Sequence, residues 1–248
     1  MGGPLAILSD LPPRDSGQAS PFRTLAYLDA TLESPTWHST EDAALHVLWT
    51  APGIRPILAA GDTDGGCTEY PVAPGDFLLV PAGRSFAIGA GIVAVMVGSG
   101  VHTGATKDPL SSAPTLPPTH GLPVFSGFNR QTFGVATPTL AMCRWKLTHS
   151  QVIVAPPGQP LWLSNLVEPV AVSWTGGMEL LGRTEGCFVA PGSRVTVSPN
   201  NLGYVLVAWV PNLAREVIAP LRSAGYTNAD IASLGVPESS LVPDQARG

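Results

Sequence analysis

Two histidines, His38 and His46, flank the start of an apolar run, AALHVLW, in a chain that has five histidines in 248 residues. Imidazole titrates near neutral pH, so side chains of this type at the mouth of a cavity can give and take protons. Glu69 can join them as a proton acceptor where the fold shields it from water. Arg55 interrupts an otherwise apolar stretch, IRPILAAG, and its planar fork suits a carboxylate or a phosphate. Arg84 and Tyr70 border the same region and complete, with Arg55, a set able to bind an oxygenated small molecule. Each has a plainer alternative: His38 and His46 as surface or structural histidines, Arg55 in an outward salt bridge, Glu69 on a solvated edge. Ser39 follows His38, but neighbours on a strand point apart, and neither a nucleophile elbow nor a Gly-rich phosphate loop accompanies the pair. Cys67, Cys143 and Cys187 are odd in number and far apart, which argues against a disulfide framework or a zinc knuckle and reads as buried thiols.

These side chains need strands and corners to hold them, and the clearest corner lies in GDFLLVPAGRSFAIG, Gly75 to Gly89. Phe77 to Val80 is an apolar run of strand length. Pro81 fixes its own φ and Gly83 accepts the backbone angles that a reversal needs, so the stretch reads as strand, tight turn and returning strand. Further strands are expected over Phe22–Leu32, Ala43–Trp49, the IRPILAAG segment, Thr68–Val72 and Gly91–Val97. From 102 to 123 the chain is rich in Pro, Ser and Thr without periodicity, the composition of a linker.

Beyond that linker the first half recurs. Thr24-Leu25-Ala26 returns as Thr139-Leu140-Ala141, Pro56-Ile57-Leu58 as Pro169-Val170-Ala171, the corner at Pro81 as GCFVAPG, Gly186 to Gly192, and the strand from Ile92 to Val97 as Tyr204 to Val210. The offsets all lie at about 110–115 residues, which favours a tandem duplication. The expected organisation is an arm over 1–21, one barrel domain over 22–101, the linker over 102–123, a second barrel over 124–211, and C-terminal helices and tail over 212–248. The last segment carries a helix with Asn212 as N-cap, interrupted near Pro220 and stopped at Gly225, and a second helix opened by a Thr227/Asp230 capping box. The second half also has Arg144, Trp145 and Lys146 on one strand, with Trp162, Trp174 and Trp209 as aromatic surface for a sugar face or as core. Glu179, Arg183 and Glu185 read as a surface charge cluster near a turn.

Glycine and proline, 27 and 26 residues, exceed a fifth of the chain, and 12% is charged, which fits many turns and an all-β fold. The net charge of −5 implies no basic surface for nucleic acid. The N-terminus lacks the pattern of a secretory leader, and no apolar run approaches the roughly 18 residues of a membrane span. These features lead to the expectation of a cytoplasmic protein with a small-molecule substrate, no nucleic-acid or membrane partner, and a homodimer as the possible assembly.

The spacing of Gly75, Pro81 and Gly83 resembles the second motif of the cupins, and two such repeats resemble a bicupin over residues 22–211. Segments of the second half, LAMCRWKLT, LSNLVEPV and GGMELLGRTEGCFVAPG, are similar to bicupins related to class I mannose-6-phosphate isomerases. The resemblance implies tandem double-stranded β-helix, or jelly-roll, barrels and a carbohydrate-like substrate history. It also implies a metal held by three histidines and a glutamate. Those positions fall here on Thr36, His38, Ala43 and Phe86, and in the second repeat Val195 stands where Phe86 stands in the first. One ligand of four remains, so no cofactor is expected, and Phe86 joins the substrate-binding set. The leading expectation is a metal-independent isomerase, epimerase or cyclase using His38, His46 and Glu69 as catalytic groups. A non-catalytic sugar- or metabolite-binding bicupin is the first alternative, and a metal-dependent isomerase with unorthodox ligands the second.

Overall fold

The computed structural model describes residues 24–30, 37–39, 41–52, 57–61, 67–98, 101–103 and 117–242, with side chains at 41–52, 68–84, 86–98 and 117–242. The corner at Pro81 forms as the sequence requires. Gly83 and its counterpart Gly192 take positive φ, +76° and +69°, so each reversal runs through backbone space that a side chain disfavours. Each corner also closes on a backbone hydrogen bond, Arg84 N to Pro81 O and Ser193 N to Ala190 O.

The chain divides into two compact units, the first ending at His120 and the second beginning at Gly121. The first contains β1 (Thr24–Ala30), β2 (Trp37–Ser39), β3 (Ala43–Thr50), β4 (Ile57–Gly61), β5 (Cys67–Pro71), β6 (Phe77–Val80), β7 (Ser85–Ile88), β8 (Ile92–Gly98) and β9 (Val101–Thr103). They form two antiparallel sheets, β1-β8-β3-β6 and β5-β4-β7-β2-β9. The second unit contains β10 (Leu122–Ser126), β11 (Asn129–Ala136), β12 (Ala141–Leu147), β13 (Gln151–Val154), β14 (Leu161–Asn165), β15 (Val170–Trp174), β16 (Gly177–Leu181), β17 (Gly186–Val189), β18 (Arg194–Pro199) and β19 (Gly203–Trp209). Its sheets are ordered β10-β11-β12-β19-β14-β17 and β13-β18-β15-β16.

The two orders superpose strand for strand. β1-β8-β3-β6 corresponds to β12-β19-β14-β17, and β5-β4-β7-β2 to β16-β15-β18-β13. All four sequence echoes fall on corresponding strands: β1 with β12, β4 with β15, β6 with β17 and β8 with β19. The duplication is therefore a duplication of topology, with β10 and β11 as additions to the second unit.

Alternation sets one face of each sheet inward. In the first unit Leu45, Val47, Leu78, Val80, Phe86, Ile88, Ile92 and Met96 form one buried cluster. In the second, Phe133, Cys143, Trp145, Leu163, Val172, Val195, Val197 and Val207 belong to a larger one. The C-terminal helices join that second core. A π-helical segment, Leu213–Ile218, runs into α1 (Ala219–Ser223), followed by α2 (Asn228–Ala232) and α3 (Glu238–Leu241), and Val217, Leu221, Ile231 and Leu241 are buried in the cluster. Asn212 caps the first of these through Arg215 N, and the Thr227/Asp230 capping box is present in full. No helix among the described residues is long and apolar enough to cross a membrane.

The stretch expected as a linker carries structure at its end. Thr119 exchanges two backbone hydrogen bonds with Phe77, of 2.7 and 2.9 Å, and β10 begins at Leu122. Lack of periodicity hid both, because a one-residue bridge has none and β10 is half exposed.

Candidate functional site

Among the described residues, the sequence candidates are not brought to one point. His46 is buried, but it pairs in register with Phe77 and Val95, whereas its neighbours Leu45 and Val47 supply the interior cluster. Its ring therefore occupies the face of the sheet opposite the barrel interior, a correction to its expected place in the first cavity. The cause is strand parity, which the spacing between His38 and His46 cannot reveal. The backbone of His38 pairs with Ser85 and His102, and its side chain lies outside the described residues, as does Arg55 altogether. Glu69 is exposed and Tyr70 half-buried on β5, and successive strand residues point to opposite faces, so these two do not act on one point. Arg84 is buried at the corner, 3% exposed, and Phe86 is part of the apolar interior.

A polar cluster forms instead around Asp76, the residue after Gly75. A tight turn folds Asp76 back so that its Oδ2 accepts the Ala73 amide at 2.8 Å, while Val47 N donates to its carbonyl oxygen at 2.8 Å. His46 Nδ1 lies 3.1 Å from the same carbonyl oxygen. A carbonyl oxygen only accepts, so this nitrogen carries the proton. The imidazole also stacks on Phe77, with centroids 4.2 Å apart and planes at 22°. The remaining carboxylate oxygen, Oδ1, contacts Nδ1 of His120, whose side chain is 82% exposed. A buried carboxylate on Nδ1 fixes the ring and turns Nε2 outward, the arrangement by which carboxylates orient histidine bases. Sequence reasoning missed both members. Asp76 lay inside the corner motif, but His120 lay in the apparent linker and is brought to Asp76 by the Thr119 bridge.

The second unit differs at its rim. Glu179 pairs with Val172, and Trp174 shares that side of β15, so both stand on the barrel-facing side of their sheet although both are exposed. Trp174 lies over Gly177, where a Cβ would come within 2.7 Å of the indole. Trp145, Trp162 and Trp209 are buried, leaving Trp174 as the exposed tryptophan of the second unit. At the turn beyond Glu179, the Glu185 carboxylate accepts the Gly182 amide at 2.7 Å. Behind the rim, burial and then the charge of Glu179 push the Cys187 thiol up to about 11. Burial pushes Cys143 up to about 12, against a hydrogen bond from Gln131 Nε2 at 3.2 Å. Both thiols are neutral at physiological pH and are poor nucleophiles. Asn165 is fully buried, and its Nδ2 donates to Leu181 O and Gly182 O, each at 3.0 Å, tying the β16–β17 turn to β14.

The metal that the cupin resemblance implies does not fit the described residues. Ala43 and Phe86, at two of the expected ligand positions, are 0% and 1% exposed in an apolar cluster and offer no donor atom. Val195 does the same in the second unit. No three His, Cys, Asp or Glu side chains gather as a potential metal site among the described residues.

No protein-family model matches the chain, and no curated protein matches it in sequence. Its fold, by contrast, matches solved structures. Mannose 6-phosphate isomerase from Bacillus subtilis superposes with a TM-score of 0.57 at 11% identity, over 75% of this chain and 74% of that one. Oxalate decarboxylase from the same organism, in its structure at pH 4.6, gives a TM-score of 0.57 at 10% identity, over 84% of this chain and 76% of that one. A further oxalate decarboxylase structure, which describes a substrate binding mode and a switch of reaction specificity, gives 0.57 at 11% identity over 76% and 68%. The manganese(II) centres described for the Bacillus subtilis decarboxylase have no counterpart among the described residues here. Tandem antiparallel barrels of matching strand order, together with these superpositions, give the chain the bicupin fold.

Proposed function

We propose that this protein is a bicupin that binds a small oxygenated, sugar-like molecule at the rim of its second barrel, without metal chemistry. The observation that carries the reading is the presence of an exposed indole, Trp174, and an exposed carboxylate, Glu179, on neighbouring strands and on the barrel-facing side of one sheet. An aromatic face covers the apolar side of a sugar ring, and a carboxylate accepts hydrogen bonds from its hydroxyls. The test is a thermal-shift and calorimetric screen of sugars, sugar phosphates and hydroxy acids on protein whose metal content has been measured. The expected result is saturable binding without consumption of the ligand, weakened at least about tenfold in Trp174→Ala and in Glu179→Gln, a loss of about 1.4 kcal/mol. Stoichiometric metal, or binding indifferent to both substitutions, would overturn it.

A second reading, a metal-independent isomerase, epimerase or cyclase, is favoured by the Asp76–His120 pair. Here His120 Nε2 would move the proton and Asp76 would act as a positioning residue. Conversion of a screened ligand that is lost in His120→Ala and reduced in Asp76→Asn, with a shifted pH profile in the latter, selects this reading over binding alone.

A further inference from the structure

The outward face of the second unit's larger sheet carries a row of side chains that the rim site does not use. β10, β11, β12 and β19 are neighbours, and their registers align Phe125 with Arg130, Arg130 with Lys146, and Lys146 with Tyr204. Arg144, two residues before Lys146, stands on the same face, while Trp145 between them enters the core. Two cations thus oppose each other directly on paired strands and a third lies one step along. Like charges placed directly opposite destabilise a sheet, since their Cβ atoms are only about 4.5–5.5 Å apart.

No described carboxylate stands between Arg130 and Lys146 as an ion-pair partner of either. Arg130 Nε is buried without a hydrogen-bond partner. A buried donor without a partner carries a desolvation cost that a bound acceptor removes. The guanidinium of Arg144 is held below its ordinary range by burial first and by Arg130 second, so the two arginines share one electrostatic environment. Tyr204 closes the row with a phenol able to donate, and Phe125, 74% exposed, offers an uncovered ring at the other end.

We propose that Arg130, Arg144, Lys146 and Tyr204 form a binding site for a phosphate-type oxyanion on the outer face of the second barrel, separate from the rim. Two guanidiniums and an ammonium suit a dianion better than a monocarboxylate, and the arginine fork can engage two oxygens at once. Phe125 is placed to contact an apolar group attached to the phosphate.

The test titrates the whole protein with inorganic phosphate at low millimolar concentration and constant ionic strength, following Tm and the phosphorus NMR linewidth, with chloride as the control. Saturable broadening is expected, with a Tm rise on the order of 3 °C once phosphate exceeds its Kd about tenfold. Arg130→Gln and Lys146→Gln should each abolish both signals, yet leave Tm in phosphate-free buffer unchanged or higher, because repulsion is removed. Phenyl phosphate should bind more tightly than inorganic phosphate, and Phe125→Ala should erase that difference alone. An equal Tm rise with chloride, or unchanged phosphate binding in both charge variants, would sink the proposal. So would a drop in phosphate-free Tm in both variants, which would make the cations structural. Retained rim binding in these variants separates failure of this site from failure of the sugar-binding reading.

Discussion

Phe86 and Val195 stand three residues after the equivalent corner glycines of the two units, and both point into their barrels. Around Phe86 lies a cluster of buried apolar side chains, and two described imidazoles, His46 and His120, meet Asp76 elsewhere. Around Val195 the interior admits thiols, Gln131 and Asn165, with a carboxylate at the rim and cations on the outer face. One strand order thus supports two placements of polar chemistry. Corners and inward apolar residues specify the barrel, and neither fixes which face or end receives a charged side chain.

The sharpest way to break that comparison is to empty the two equivalent positions. Phe86→Ala should cost about 3–5 kcal/mol, the range for a buried aromatic in a close-packed core. Val195→Ala should cost about 2 kcal/mol, two methyl groups plus a small cavity. Urea denaturation of each variant gives the values, and equal losses would mean that the Phe86 ring contributes no more than the two methyl groups of Val195.

The thiols should separate the units by pH. Below about pH 9 they are protonated in folded and unfolded chains alike. Above it the unfolded chain sheds protons that folded Cys143 and Cys187 retain to about 12 and about 11. Stability should therefore fall as pH rises through this window, by about 1.4 kcal/mol per pH unit for each thiol. A Cys143→Ala, Cys187→Ala double variant should show a shallower slope than the wild type, and an unchanged slope would assign the loss to other groups.

The smallest expected effect lies at the Asp76 cluster. Asp76→Asn weakens the acceptor of the Ala73 amide and should cost about 1–2 kcal/mol. His120→Ala removes an exposed partner and should cost less than about 1 kcal/mol. If calorimetry reverses that order, His120 is more than a surface partner of the carboxylate.

How far the sequence reaches follows from the same contrast. The corners at Gly83 and Gly192, the strands on either side, the duplication and the Thr227/Asp230 cap were legible because each rests on a short local pattern. The sites were not. His46 required knowing which of two faces it occupies, and one residue of register decides that. His120 meets Asp76 across a stretch without periodicity. Arg130 and Lys146 look ordinary in sequence, and their opposition exists only once β11 and β12 are paired. Of the expected site residues, His46 takes the face opposite the barrel interior, whereas Phe86 points inward.

The bridge between Thr119 and Phe77 has a further consequence. β6 is the outermost strand of its sheet, and all four of its residues, FLLV, are buried. A short apolar strand with open backbone groups is a template for another chain. Thr119 satisfies the outward N–H and C=O of Phe77 and so acts as an edge guard, a blocking stub that denies a passing strand its first two hydrogen bonds. The chain leaving the first unit thereby covers part of the edge of β6 before it reaches β10.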